Sequence, residues 1–117
     1  MEITRIYNNS DGESFFELIP LIMEKHVEKG YTCHGIPNAK KVHFRTTMAN
    51  QQSEFIRPPA STYVVIIEGS FEIEVSWGKK QCFGKGDVLL FDDITGKGHR
   101  VKTNDHTIMA LLIEVES

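Results

Sequence analysis

The sequence predicts an all-β fold of short strands, and three observations predict it. From Ala60 onward the apolar stretches are short, rich in β-branched residues and separated by glycine, asparagine or aspartate. One of them, FEIEVSW, alternates apolar and polar residues with the two-residue period of a strand. No segment shows a strong helical pattern, so a closed barrel or a sandwich is expected, with jelly roll, up-and-down barrel and immunoglobulin-like sandwich all open.

The elements follow in order. In SFFELIPLIMEKHVEKG, Pro20 breaks any helix interior, so two extended pieces flank it and a turn of helix is expected near Glu24 to Lys29. KVHFRTT reads as a strand with Val42, Phe44 and Thr46 on one face and His43, Arg45 and Thr47 on the other. Either face can point inward. TYVVIIEGS is apolar at successive positions, which calls for cover on both faces, by a second sheet or another subunit. FEIEVSW puts Phe71, Ile73, Val75 and Trp77 inside and Glu72, Glu74 and Ser76 on a wet face. QCFGKGDVLLFDD, HRVKTND and HTIMALLIEV complete the strands.

At 117 residues the chain is expected to form one domain over residues 1–117. A formal charge of -3, with 40% hydrophobic and 25% charged residues, lies in the range of soluble globular proteins, and no lysine–arginine run supplies a nucleic-acid footprint. Glu2 and Arg5 interrupt any signal-peptide core, and no segment has the ~20 apolar residues of a membrane span. A cytoplasmic protein without a membrane partner is expected. Cys33 and Cys82, two thiols outside any C-x-x-C pair, read as reduced structural cysteines.

GDVLLFDDITGKGH, from Gly86 to His99, carries the densest chemistry. It is not a phosphate loop, because Gly98 follows Lys97 where a hydroxyl residue is needed and a strand comes next. His26, His34, His43, His99 and His106 form no H-x-H, H-E-x-x-H or H-x-x-x-H pair, so no local spacing preorganises a metal site. Asp92 and Asp93 point to opposite sides of an extended chain, and one of them is expected to cap the glycine turn. No G-x-S-x-G elbow is present.

EGSFEIEV, GDVLLFDDITGKGH and ALLIEV, in that order, resemble the small single-domain cupins of the RmlC-like type. The chain is similar to a subgroup of short cupins marked by Asp11-Gly12-Glu13-Ser14, Phe44-Arg45 and the Gly86-to-His99 signature. The resemblance implies a cupin-type double-stranded β-helix, that is, a jelly-roll barrel, and commonly a homodimer. It also places the metal-ligand positions of the first cupin motif near Ile56, Pro58 and Thr62, leaving His99 as the one candidate ligand. One imidazole holds no zinc or iron tightly, so no metal or other cofactor is expected. The pocket expected in its place is lined by His43 and His99 as candidate acid–base residues, with Arg45, Thr47, Arg57 and Thr62 binding a small polar or anionic molecule. An isomerase or epimerase-like activity is the first expectation. A non-catalytic ligand sensor or interaction module is the alternative, and a metal-dependent oxygenase a minor one.

Overall fold

The computed structural model of the protein describes residues 2–21 and 24–116. Its strands are β1 (Glu2–Asn8), β2 (Ser14–Pro20), β3 (Glu24–Glu28), β4 (Tyr31–Gly35), β5 (Ala39–Thr47), β6 (Thr62–Glu68), β7 (Ser70–Glu74), β8 (Lys80–Gly84), β9 (Val88–Asp92), β10 (Arg100–Thr103) and β11 (Ile108–Val115). Among the described residues the one helical segment is a 3₁₀ turn at Ser76–Gly78, and no helix is long and apolar enough to cross a membrane.

A six-stranded sheet, in the order β2-β1-β9-β6-β11-β5, faces a three-stranded sheet, β10-β7-β8. The pairings are antiparallel except for β1 with β9. Ile6, Val64, Leu89, Ile108 and Leu112 from the larger sheet meet Phe71, Ile73 and Phe83 from the smaller in one buried cluster. Each such side chain contributes about 1.5–3 kcal/mol by leaving water. The all-β architecture expected from the strand pattern, and the jelly roll implied by the resemblance, is the fold observed.

Three local expectations are corrected. Residues Glu24–Glu28 form a strand, not a helical turn, paired antiparallel with Tyr31–Gly35. The alternation of FEIEVSW stops at Val75, because Trp77 adopts φ 62° and stands 70% exposed while Ser76 is buried. Ser76 is inside because its hydroxyl accepts from the Ser14 N–H at 2.8 Å, and the Ser76 N–H donates back to Ser14 Oγ at 3.1 Å. Finally, neither Asp92 nor Asp93 caps the glycine turn. Asp92 accepts from the Arg5 guanidinium and the Ser61 hydroxyl, while Asp93 faces His99.

The segments Asp11–Ser14 and Gly86–His99 touch each other. The Lys97 N–H donates to Gly12 O at 2.9 Å, and the Lys97 ammonium reaches Glu13. Gly96 lies so close to Gly12 that a Cβ would sit 2.5 Å from its backbone. Lys97 and Gly96 therefore serve to dock the β1–β2 turn onto the β9–β10 turn.

Candidate functional site

The inner face of β5 decides whether the predicted residues share a cavity. Val42 and Phe44 turn outward, 61% and 68% exposed, which places His43, Arg45 and Thr47 on the inner face. β5 is the edge strand of the large sheet, paired among the described residues with β11 alone, and its inner face lines a cavity. That cavity has a volume of about 340 Å³.

Its floor is apolar, from Val64, Phe71, Phe91, Ile108, Ala110 and Leu112. Its polar wall holds His43, Arg45 and Thr47 from β5, Thr62 from β6 and Glu114 from β11. A strap, residues 50–59, closes the remaining side with Ser53, Ile56, Arg57, Pro58 and Pro59. All six sequence-predicted site residues thus line one cavity. His34 and His106 are exposed elsewhere, and His26 lies outside the described side chains.

His99 is the most constrained of these residues. It is 3% exposed, and its Nδ1 lies 2.7 Å from Oδ2 of the fully buried Asp93. A carboxylate facing Nδ1 fixes the tautomer with the proton there and leaves Nε2 as the ring nitrogen free to act as a base. The ring stacks on Phe91 with centroids 4.3 Å apart and planes 4° from parallel. Its backbone exchanges two hydrogen bonds with Ile56, at 2.8 and 2.9 Å. Gly98 makes this approach possible: at φ +79°, a Cβ there would stand 2.0 Å from Ile56 O.

The other polar groups are less fixed. The Thr62 hydroxyl donates to Ala60 O at 2.7 Å, so toward the cavity it offers acceptor lone pairs alone. Arg45 and Arg57 are exposed at the cavity edge, where guanidinium groups suit a carboxylate. Glu114 was not legible as a site residue; its carboxylate stands 4.0 Å from Nδ1 of His43 and 3.7 Å from the Lys41 ammonium. His43 Nδ1 is buried without a hydrogen-bond partner among the described residues.

A metal does not fit this donor set. Ile56 and Pro58 supply no donor side chain, Thr62 offers a neutral hydroxyl, and no group of three or more histidine, cysteine, aspartate or glutamate side chains converges among the described residues. First-row metals in proteins need at least three such ligands for a stable site.

No protein-family model and no curated protein matches the chain. Solved structures share its fold. The DMSP lyase DddQ from Ruegeria pomeroyi DSS-3 superposes with a TM-score of 0.57 at 21% identity, over 68% of this chain and 40% of that one. A cupin 2 conserved barrel domain protein from Leptotrichia buccalis gives 0.51 at 18% identity, over 80% and 39%. The polyketide cyclase RemF from Streptomyces resistomycificus gives 0.51 at 16%, over 68% of each chain. The fold is accordingly a cupin-type jelly roll. The chain spans less than half the length of DddQ and of the Leptotrichia protein.

Proposed function

We propose that the cavity binds a small organic anion with an apolar body, and that His99 acts on it as a general base in an isomerase or epimerase-like reaction without a tightly held metal. The observation that carries this reading is the Asp93–His99 pair. A buried carboxylate 2.7 Å from Nδ1 orients the ring, fixes its tautomer and stabilises the imidazolium formed when Nε2 takes a proton. Phe91 and the Ile56 backbone hold the ring in place, so the geometry exists before any ligand arrives.

The ligand class follows from the walls. Arg45 and Arg57 provide charge-assisted, bidentate donors for a carboxylate, while Phe71, Phe91, Val64 and Leu112 accept an alkyl or ring body. DddQ and RemF, which share the fold, carry the names of a lyase and a cyclase. Fold alone does not choose the reaction.

The test is calorimetry with 3-methyl-2-oxopentanoate, a small anionic ketone, against the neutral 3-methyl-2-pentanone. The anion is expected to bind more tightly, and Arg45→Gln to weaken it by about 10- to 100-fold, the value of a hydrogen bond to a charged group. A neutral ketone that binds as well as the anion sinks the anionic-ligand reading. Binding of the anion with no chemical change leaves the non-catalytic module as the function.

A further inference from the structure

The Asp93–His99 arrangement has a counterpart on the opposite wall. His43 turns its Nδ1 away from solvent toward Glu114, as His99 turns its own toward Asp93. At 4.0 Å the second contact is open by about 1 Å relative to a hydrogen bond. Such contacts are commonly long in ligand-free sites and tighten when the site is occupied. An unpartnered imidazole nitrogen buried beside a carboxylate is a polar group awaiting that tightening, since buried groups without partners are rare.

The two imidazoles flank the same space. β9, β6, β11 and β5 are consecutive in the sheet, so the strands carrying Phe91 and His43 lie three spacings, about 14 Å, apart before the sheet curls. The His99 ring sits on Phe91, and the cavity between the two histidines is floored by Val64, Ala110 and Leu112 of the intervening strands.

We infer that His43, positioned by Glu114, is a second general base, and that the cavity moves protons on two faces of a carbon acid bearing a carboxylate. The inference rests on the carboxylate-binding reading above. In the step, one imidazole Nε2 takes the proton from the carbon beside the ketone. The C–H electron pair becomes the carbon–carbon double bond of an enolate, whose charge on the ketone oxygen is stabilised by the neighbouring guanidinium groups. The opposite imidazolium then gives its proton to the other face of that carbon. Nothing is oxidised or reduced, and the configuration inverts.

The experiment incubates each C3 enantiomer of 3-methyl-2-oxopentanoate with the full chain in D₂O and follows the C3 proton by NMR. Wild type is expected to exchange the C3 proton of both enantiomers. His99→Asn slows exchange of one enantiomer by about 100-fold or more and leaves the other near wild type, and His43→Asn does the reverse. Glu114→Gln follows His43→Asn and shifts the His43 ring ¹⁵N signals toward a mixture of tautomers, a change that loss of packing alone does not produce. His99→Gln replaces His99→Asn in the event that the latter does not fold. Loss of exchange from both enantiomers in His99→Asn, with neither affected in His43→Asn, overturns the second base. Anion binding without wild-type exchange overturns proton transfer while leaving the binding reading in place; absence of anion binding overturns that reading and this inference together.

Discussion

Gly98 joins the glycine turn to the strap that walls the cavity, and its replacement separates two physical effects. At φ +79° an alanine pays the left-handed backbone penalty of roughly 1–2 kcal/mol. In addition, its Cβ would stand 2.0 Å from Ile56 O, 2.4 Å from Ile56 C and 2.9 Å from the Arg57 nitrogen, all backbone atoms. The strap has to move, and the two Ile56–His99 hydrogen bonds are lost at roughly 0.5–1.5 kcal/mol each. The total for Gly98→Ala is therefore about 2–5 kcal/mol. Gly86→Ala is the matched control, because Gly86 has φ +90° and nothing within 4 Å of an added Cβ. It incurs the backbone penalty alone. Urea unfolding of the two variants measures the difference, expected to be about 1–3 kcal/mol, and calorimetry should show weaker anion binding for Gly98→Ala alone. Equal destabilisation by the two substitutions would show that the strap is not held against His99 as described.

Three further outcomes follow from the same structure. Long-range ¹H–¹⁵N spectra should show the His99 proton on Nδ1, and Asp93→Ala should scramble the tautomers and destabilise the fold by about 1–3 kcal/mol through an unsatisfied buried N–H; an unchanged tautomer refutes the pairing. Hydrogen bonds from Lys97, and then from Ser76, hold the Glu13 carboxyl below its ordinary 4.5. Its contribution to stability is full above pH 4.5 and fades as pH falls through the lowered value, so the stability gap between wild type and Lys97→Met should close in that acid range and stay flat from pH 5 to 7. The homodimer expected from the sequence has a natural contact in the outward Val42 and Phe44, because two-fold pairing of β5 with its copy closes a bare sheet edge and covers both side chains. Phe44→Ser should then shift a sedimenting dimer to monomer, and a wild type that sediments as monomer removes this contact.

What the sequence made legible was set by local pattern. Short β-branched apolar runs between turn residues located the strands from Thr62 onward, and the adjacency of Asp92 and Asp93 already required opposite faces. The inner face of β5 was not legible, because the usual rule sends Val42 and Phe44 inward. An edge strand over a polar cavity reverses it, and β5 occupies that place only once the strand order is known. Glu114 escaped notice as a charged residue near the end of a strand. Yet it lies two residues from Leu112 and four from Ala110, both buried, so the same alternation places it on the inner face. Asp93 was hidden by its partner, since a carboxylate and an imidazole six residues apart meet only through the left-handed glycines of the intervening turn. Trp77 and Ser76 exchanged their expected faces because Ser14, 62 residues away, supplies the hydrogen bonds that draw Ser76 inside.

The Asp93–His99 pair admits two chemical readings, and its neighbours decide between them. A histidine that ligates a metal almost always donates its other ring N–H to a carboxylate or carbonyl, so this geometry equally describes the outer layer of a metal site. What a metal additionally needs is ligands beside Nε2. Around the cavity, Ile56 and Pro58 on the strap offer no donor side chain and Thr62 offers a neutral hydroxyl, while no group of three histidine, cysteine, aspartate or glutamate side chains converges among the described residues. The strap segment at the two positions that the resemblance assigns to histidine ligands instead bonds its Ile56 backbone to His99 and lines the cavity. The carboxylate-backed imidazole is thus present without a converging set of further ligands among the described residues, which favours the proposed reading of His99 as a general base over that of a metal ligand.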